Sequence, residues 1–379
     1  MSTSPEQPAA LRDGDLTAPA LAALGLGPQV AALLRAAADG VPARAAGGAD
    51  RRAARVVRVD RGRAHLATAD GAVAAATRTL AGRRAGVEGA LVTGDWVVWA
   101  RDADEGPAVV ARLAPATALV RRVAQDDLSQ QQELATWVDV VAVVVPLDVP
   151  VSAGRLERTL AVAWESGARP LVVATKADVV ADTGAERELL ERSAAGAEVL
   201  LTSTATGAGL EKLRAAVGAG TLALLGPSGA GKSSLVNALV GEEVQAVGAV
   251  RGGDGRGRHT TTARELVPLP GGGVLLDTPG VRGLGLWETA DGVDRAFEDV
   301  AALAARCRFA DCSHSVEPGC AVTAALESGE LPERRWRSHQ KLQREAAALA
   351  VRHDERLRRE QARAFSKRVR LTAGPTRHR

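Results

Sequence analysis

The stretch that decides the fold is Thr221–Ser234, which reads TLALLGPSGAGKSS. An apolar, strand-forming run enters a glycine-rich turn that matches G-x-x-x-x-G-K-[ST], and a helix is predicted directly afterwards over Ser234–Leu239. The glycines allow backbone N–H groups to turn inward and cradle phosphate oxygens at a helix N-terminus. In such a loop Lys232 would contact the β- and γ-phosphates, and the Ser233 hydroxyl would bind Mg²⁺. The residues predicted to contact phosphate are Gly226, Pro227, Ser228, Gly229, Ala230, Gly231, Lys232, Ser233 and Ser234.

A second motif follows the apolar run Val274–Leu276, which is predicted to be a buried strand. It reads Asp277-Thr278-Pro279-Gly280 and lies 45 residues after Lys232. A strand-end aspartate can hold Mg²⁺ through water, and the Gly280 backbone N–H can contact a γ-phosphate. The D-x-x-G pattern is common by itself, but at this distance and at a strand end it indicates the second phosphate-binding element.

A third motif, Thr175-Lys176-Ala177-Asp178, follows a predicted strand over 171–174. It is similar to the guanine-specificity sequence N-K-x-D, with threonine in place of asparagine. The Asp178 carboxylate can accept the ring N–H and the amino hydrogens of guanine, whereas adenine would leave it unpaired. A strand-to-helix cap is the alternative interpretation. The candidate base-contacting residues are Thr175, Lys176, Ala177 and Asp178, with Ser203 and Thr204 after the next predicted strand.

The order of these motifs is unusual, because the base-reading sequence precedes the phosphate loop, whereas most GTPases have it afterwards. A circular permutation explains the order, since domain termini often lie close together. Strand-like and helix-like runs alternate from about Val138 to about Leu276, beginning with a strand over Val138–Val145 and a helix over Arg155–Ser166. This alternation predicts a mostly parallel α/β sheet covered on both faces.

The flanking segments have different periodicities. Ala18–Arg44 is predicted to be helical with interruptions, and residues 1–16 are predicted to be disordered. Five short runs between Ala54 and Leu113 alternate with a period of two, which is typical of a small OB-like barrel or of an ordinary β-meander. The chain is predicted to be mainly helical from Ala296 onward. We therefore expect four segments, at 1–50, 51–115, 116–290 and 291–379.

The cysteines indicate a metal site, because every cysteine in the chain lies within one short stretch. The pattern is Cys307-x4-Cys312-x-His314-x5-Cys320. Three thiolates and one imidazole match a closed, tetrahedral and structural zinc site. An odd, tightly clustered number of cysteines argues against a disulfide framework. Three free thiols beside a surface histidine are the alternative.

These features together resemble the RsgA family of circularly permuted, ribosome-associated GTPases. The resemblance extends from about Ala54 to about Glu345 and includes the barrel, the permuted motifs, the run Gly257–Thr262 and the cysteine cluster. It implies a multidomain protein that binds GTP or GDP with Mg²⁺ and one zinc ion. It also implies GTP hydrolysis that is stimulated by the small ribosomal subunit, contact with its rRNA, and action late in subunit assembly.

The long Gly/Arg-rich stretch Glu242–Thr262 is predicted to be a mobile switch. One hydroxyl among Thr260, Thr261 and Thr262 should contact Mg²⁺ and the γ-phosphate, and the pattern does not choose among them. Val281 follows Gly280 where many GTPases have a glutamine, and valine cannot orient water, so unassisted hydrolysis should be slow. The family resemblance implies that His259 is a candidate for orienting the water; a solvated loop histidine is the alternative. The candidate catalytic residues are Lys232, Ser233, His259, Thr261, Asp277 and Gly280.

Charge is unevenly distributed along the chain, although the formal net charge is only +3. Residues 331–379 contain 15 Lys/Arg and 5 Asp/Glu, so the remainder of the chain is acidic. A basic end on an acidic body favours a polyanionic partner, and a solvated helix face is the alternative. The longest apolar run has eight residues, far fewer than the ~20 that a membrane-spanning helix needs. Because the sequence has no secretory signal pattern, we expect a cytoplasmic protein. We also expect it to be a monomer.

Other functions remain open at this point. A GTPase could act on a different RNA or on a protein complex, and a non-enzymatic RNA-binding module could retain a degenerate nucleotide site. An intact Lys232, Ser233 and Asp277 argue against the second of these. An ATPase or a small-molecule kinase is disfavoured by Asp178.

Overall fold

The computed structural model describes most of the chain in two compact units. One unit comprises Met1–Val120 and Glu133–Gly283, and the other comprises Arg121–Gln132 and Leu284–Arg379. The described residues are 11–41, 50–60, 62–76, 90–102, 106–125, 128–194, 196–241, 264–277, 290–315, 317–348 and 351. At 76, 102, 122–125, 128–131, 277 and 290–291 only the backbone is described.

The first unit begins with three helices and five strands. They are α1 (Asp13–Leu16), α2 (Pro19–Ala22), α3 (Pro28–Asp39), β1 (Arg52–Asp60), β2 (Arg63–Thr68), β3 (Gly71–Ala76), β4 (Trp96–Asp102) and β5 (Gly106–Arg112). β1, β2 and β3 form an antiparallel meander, β4 pairs with the other edge of β1, and β5 pairs with β4. β3 also contacts β5. All five strands predicted from the period of two are present, with ends shifted by one or two residues.

The apolar faces of these five strands enclose a small core. Val56, Leu66, Val97 and Val109 are fully buried, and Trp99 packs with them. Because successive side chains of a strand point to opposite faces, the alternation in the sequence places these residues on the inner face.

A two-stranded hairpin follows, consisting of β6 (Ala118–Gln125) and β7 (Leu128–Thr136). Its middle part, Arg121–Gln132, belongs to the second unit. The sequence analysis missed both strands. The run Ser129–Glu133 is SQQQE, which contains neither β-branched nor aromatic residues, so propensity alone does not favour a strand there. Pairing with the adjacent strand decides the conformation instead.

The rest of the first unit is an α/β layer structure. Its elements are β8 (Val140–Pro146), α4 (Ala153–Glu165), β9 (Arg169–Thr175), α5 (Gly184–Ser193), β10 (Glu198–Leu201), α6 (Leu210–Val217), β11 (Thr221–Leu225), α7 (Lys232–Val240), β12 (Glu265–Pro268) and β13 (Val274–Asp277). The strand order is β10-β9-β8-β11-β13-β12, and among these described strands only β12 is antiparallel. The predicted alternating, mostly parallel sheet is confirmed.

The two parts of this unit share one continuous sheet. β12 pairs with β13 on one side and with β1 on the other, where Arg58 lies opposite Glu265. The Thr93 hydroxyl also donates a hydrogen bond to the Arg264 carbonyl, at 3.2 Å. The first described residues after the predicted switch stretch are therefore held by the strands that precede the hairpin.

The second unit is mainly helical, as predicted for the chain beyond Ala296. Its helices are α8 (Ala290–Ala296), α9 (Glu298–Ala304), α10 (Ala321–Ser328) and α11, which is described over 333–348. The Arg335 guanidinium binds the Asp299 carboxylate through both of its oxygens, at 2.5 and 2.6 Å, and lies over the Phe297 ring. Phe297 is fully buried, so this contact packs α11 against the start of α9.

The prediction of disorder over residues 1–16 is wrong for residues 11–16; residues 1–10 lie outside the described part of the chain. Asp15 lies in α1, is 1% exposed, and accepts two hydrogen bonds from the Arg52 guanidinium and one from the Ala53 N–H. The polar composition of the segment concealed a buried carboxylate whose partner is 37 residues away. No helix in the described part of the chain is long and apolar enough to cross a membrane.

Four segments of the first unit converge on the buried guanidinium of Arg55. It donates to the carbonyls of Leu24, Gly94 and Trp137 and to the Thr221 hydroxyl. The guanidinium carbon of Arg55 lies 5.1 Å from the centre of the Trp96 ring. Burial lowers the pKa of Arg55 to about 10, so the side chain still carries its charge at neutral pH.

We predict that Arg55→Met strongly destabilises the first unit, because it leaves several buried acceptors without a donor. A loss of about 3 kcal/mol in the free energy of unfolding is expected. Arg63→Met, at an exposed position on β2, is the matched control and should change this free energy by less than about 0.5 kcal/mol. Denaturant unfolding of both variants makes the comparison, and equal stability of the two would contradict it.

Candidate functional site

The predicted phosphate loop lies between the fully buried strand β11 and the start of α7 at Lys232. Gly226 has a φ of +154°, and a Cβ on it would lie 2.5 Å from the Val144 carbonyl oxygen. Only glycine allows the chain to leave β11 so close to the neighbouring strand. The loop therefore has the local geometry that the glycine pattern predicts.

The Lys232 side chain lies within this loop. Its Nζ donates to the carbonyls of Gly226 and Pro227, each at 2.7 Å. Ser233 and Ser234 are half-buried in the first turn of α7. A helix N-terminus that carries an ammonium and two hydroxyls is suited to bind anionic phosphate oxygens.

The Asp277 backbone ends β13, the strand next to β11. Since Ala223 is paired with Leu276, Asp277 lies at the same carboxyl edge of the sheet as the phosphate loop. Several predicted residues lie outside the described part of the chain and the structure does not place them: His259, Thr260, Thr261, Thr262, Gly280 and Val281.

The candidate base-reading residues follow β9. The Asp178 carboxylate accepts a hydrogen bond of 2.5 Å from the Ser203 hydroxyl, and Ser203 is buried. Ser203 Oγ in turn accepts from the Thr206 N–H, and the Ala177 N–H donates to the Thr202 carbonyl. The sequence analysis proposed Ser203 as a contact to the base, and in the structure its side chain orients Asp178. Thr204 is exposed on the same loop.

Two hydrogen bonds join this base-reading segment to the phosphate loop. The buried Thr175 hydroxyl donates to the Ala230 carbonyl at 2.6 Å, and Lys176 Nζ donates to the Gly229 carbonyl at 3.0 Å. Lys176 also forms an ion pair of 2.6 Å with Asp148. The structure thus brings two motifs together that lie about 50 residues apart in the chain.

Sequence reasoning missed Asp148. It follows the apolar strand β8, whose carboxyl end lies beside β9 and β11, and this position was the signal that could have identified it. Asp148 and Lys176 also line a cavity of about 310 Å³ that is bounded on one side by Gly226–Gly229. Apart from its phosphate-loop edge, this cavity lies between the end of β8 and the start of α4.

The four predicted metal ligands converge in the second unit. The ligand atoms of Cys307, Cys312, His314 and Cys320 all lie within 4.8 Å of one another. The Cys307 Sγ lies 3.9 Å from the Cys320 Sγ, and the His314 Nδ1 lies 3.5 Å from each of these sulfurs. Zinc–sulfur bonds of about 2.3 Å place the corners of a tetrahedron about 3.8 Å apart, so these residues fit a zinc ion.

The surroundings of the cluster help to fix its ligands. Cys320 begins α10, and the Thr323 N–H donates to its Sγ at 3.4 Å. Desolvation opposes ionisation, but hydrogen bonds from Thr323 and His314 lower the pKa of Cys320 to about 6. The His314 ring meets the Trp336 ring edge-on at 5.8 Å, so α11 packs against a ligand of the cluster.

Comparison with known proteins agrees with these features. The family model described as RsgA GTPase matches residues 113–287. A protein of Streptomyces avermitilis, named small ribosomal subunit biogenesis GTPase RsgA, is 48% identical over 311 residues, which cover 81% of this chain and 83% of that protein. A protein of Opitutus terrae with the same name is 43% identical over 240 residues, covering 63% of this chain and 65% of that protein.

Solved structures show the same fold. The crystal structure of YjeQ from Thermotoga maritima covers 78% of this chain and 99% of that chain, with a TM-score of 0.55 and 24% identity. YloQ, a circularly permuted GTPase, covers 79% of this chain and 96% of that chain, with a TM-score of 0.58 and 20% identity. The predicted circular permutation is therefore confirmed. Its fold, its motif order and its 48% sequence identity over four fifths of its length show that this chain belongs to the RsgA family of GTP-hydrolysing enzymes.

Proposed function

We propose that this enzyme hydrolyses GTP at the joined phosphate and base-reading loops and couples that hydrolysis to a late step in assembly of the small ribosomal subunit. The relatives' names support the subunit as the partner. The observation that carries the nucleotide assignment is Asp178, whose carboxylate is oriented by Ser203 in a segment hydrogen-bonded to the phosphate loop. A carboxylate held in that way matches the two donors on the edge of guanine.

The residues of the phosphate site fit a nucleotide with its Mg²⁺. Lys232 supplies a positive charge inside the loop, and Ser233 supplies a hydroxyl for the metal ion at the N-terminus of α7. Asp277, at the same sheet edge, is a further candidate to hold the ion. Mg²⁺ would neutralise the charge that develops on the phosphate oxygens. His259 and Thr261 stay candidates for positioning water and the γ-phosphate.

The cysteine–histidine cluster is proposed to hold one structural zinc ion. Four protein ligands would leave no open coordination position, which distinguishes this site from a catalytic one. Because the ligands come together only in the folded chain, metal binding would contribute part of the folding free energy of the second unit.

The strands β1–β5 are proposed to form an OB-like barrel. Support comes from the pairing of β4 with β1 and from the contact of β3 with β5, which together bring the two ends of the five-stranded sheet near each other. OB folds often bind nucleic acid. Together with the basic chain end, the barrel is a candidate contact for rRNA. A monomer in the cytoplasm is the state in which we expect the enzyme to act.

The first prediction for the proposed function concerns recognition of the base. Asp178→Asn exchanges an acceptor for an amide and should weaken GTP binding about 100-fold, while XTP binding becomes tighter. Asp182→Asn changes an exposed carboxylate in the same loop and should leave both affinities unchanged. Competition binding with both nucleotides tests this. Unchanged GTP affinity in Asp178→Asn would remove this residue from the guanine site.

The second prediction concerns the metal. Freshly purified protein should contain one zinc per chain by elemental analysis, and Cys312→Ser should lose the metal and destabilise the second unit. Glu327→Gln, at an exposed position of α10, should retain the metal. Absence of zinc from the unmodified protein would contradict the proposed site.

The third prediction concerns the partner. Small ribosomal subunits should accelerate GTP hydrolysis by orders of magnitude, and large subunits should not. Residues 352–379 contain ten Lys/Arg against three Asp/Glu, and their removal leaves the buried Leu331 and Trp336 in place. This truncation should weaken subunit binding and reduce its salt dependence, because fewer phosphate contacts release fewer counterions.

The measurement is subunit-stimulated turnover and GTP affinity of the full and truncated proteins across a salt series. GTP affinity should be the same in both. Equal stimulation of both proteins would exclude 352–379 as a ribosome contact. No stimulation of either protein would favour the alternative function, a GTPase that acts on a different RNA or protein complex.

A further inference from the structure

Glu317 lies between two of the predicted zinc ligands, His314 and Cys320, but its carboxylate is not part of the ligand cluster. It accepts hydrogen bonds from both neighbours of His314 instead. Oε1 accepts from the Ser313 N–H at 2.9 Å and from the Ser313 hydroxyl at 2.5 Å, and Oε2 accepts from the Ser315 N–H at 3.0 Å. Both oxygens therefore bind the chain on either side of a metal ligand.

The two serine hydroxyls extend this arrangement. The hydroxyl oxygens of Ser313 and Ser315 lie 2.7 Å apart. A hydroxyl has one proton to donate, and that of Ser313 is given to Glu317. The Ser315 hydroxyl is therefore the donor of the pair, and the hydrogen bonds of this loop run in one direction and end at the Glu317 carboxylate.

His314 itself has a left-handed backbone with a φ of +59°, which is uncommon for a residue with a side chain. Such a residue turns neighbouring N–H groups toward one side, and the resulting concavity binds anions. Hydrogen bonds from the Ser313 hydroxyl and from the N–H groups of Ser313 and Ser315 lower the pKa of Glu317 to about 2, so it is an anion at neutral pH. The carboxylate thus stabilises a backbone conformation that histidine rarely adopts.

The imidazole of His314 is constrained separately. Its Nδ1 lies 3.5 Å from the sulfurs of Cys307 and Cys320, and the ring meets the Trp336 ring edge-on at 5.8 Å. Glu317 holds the backbone of the ligand and Trp336 packs against its ring. A side chain that is constrained at both ends loses little conformational entropy when it binds a metal ion.

We propose that Glu317 is a positioning residue of the zinc site, which holds the backbone of His314 so that the imidazole faces the sulfurs, and which thereby determines how firmly the metal is retained. This inference rests on the proposed zinc ion. Glu317 acts through His314 and makes no bond to the metal. Loss of a group that orients a metal ligand commonly weakens metal binding by about 10- to 100-fold.

The experiment measures the rate at which the full-length protein releases zinc to the chromogenic chelator pyridylazoresorcinol. Glu317→Gln keeps the shape of the side chain, but it leaves one acceptor oxygen and turns an amide NH₂ toward a backbone N–H. This variant should release zinc roughly tenfold faster than the unmodified protein. Ser313→Ala removes the hydroxyl and keeps both backbone donors, so it should speed release about two- to threefold.

Glu330→Gln is the matched control. Glu330 is an exposed carboxylate of the same unit, and it forms an ion pair of 3.5 Å with the exposed side chain of Arg306. The substitution removes the same charge without changing the hydrogen bonds around His314. Zinc release from this variant should stay within about 1.5-fold of that from the unmodified protein, because exposed ion pairs contribute little.

Cobalt substitution separates positioning from general stabilisation. Tetrahedral Co²⁺ has visible absorption bands whose position and intensity depend on its ligands. In Glu317→Gln these bands should weaken and shift toward those of His314→Ala, because the imidazole is bound in a smaller fraction of the molecules. In Glu330→Gln they should be unchanged. A merely structural role for Glu317 would lower the melting temperature and leave the spectrum of the cobalt-loaded protein unaltered.

Two results would overturn the inference. One is an equal rate of zinc release from Glu317→Gln and the unmodified protein, and the other is faster release with an unaltered cobalt spectrum. Both differ from failure of the proposed zinc site, which would appear as absence of zinc from the freshly purified, unmodified protein. If Glu317→Gln does not fold, Ser313→Ala decides, because unchanged release from that variant would contradict a role of these hydrogen bonds in holding the metal.

Discussion

The buried guanidinium of Arg55 is the interaction on which the arrangement of the first unit depends. Its acceptors come from the turn after α2, from the segment before β4, from the residue that follows β7 and from the first residue of β11. A charge with so many partners is stable only when all of them are present, because an unpaired buried charge is costly. The N-terminal helices, the strands β1–β5 and the α/β sheet therefore form one unit, and β1–β5 have a fixed orientation relative to the sheet that carries the phosphate loop.

That fixed orientation gives β12 a particular position. One edge of β12 pairs with β13, which ends at Asp277, and the other edge pairs with β1. The predicted switch, Glu242–Thr262, precedes β12 in the chain. The residues that follow it are held at Arg264 by Thr93 and at Glu265 by β1. Circular permutation moves the chain termini to another loop and leaves the order of the strands in the sheet unchanged. The position of β12 next to β13 is therefore compatible with the permuted chain.

The sequence predicted those features whose spacing or periodicity lies within one short segment. The phosphate loop, the strand–helix alternation and the four metal ligands are of this kind, since spacing and periodicity alone specify them. Asp15 and the hydroxyl of Thr175 could not be predicted, because each acquires its role from a partner distant in the chain: Asp15 from Arg52 and Thr175 from Ala230. Asp148 was missed although it follows a buried strand, because its partner Lys176 lies 28 residues away. The β6–β7 hairpin was missed for a similar reason. Its strands are polar, and cross-strand pairing overrides their weak propensity.

The phosphate loop itself illustrates the limit of a local motif. Its glycine pattern identifies where phosphate binds, but the described contacts that fix its shape come from earlier parts of the chain. Gly226 passes beside the Val144 carbonyl, and residues 229 and 230 are hydrogen-bonded to side chains more than 50 residues upstream. In an unpermuted GTPase the base-reading strand is synthesised after the phosphate loop, so the loop cannot form its contacts with that strand until the strand has been made. Here β8 and β9 precede β11, and since synthesis proceeds from the N-terminus, the groups that hold the loop are already present when it emerges. Permutation has therefore changed the order in which the two halves of the candidate nucleotide site are synthesised, while the hydrogen bonds of Thr175 and Lys176 to the phosphate loop still join them.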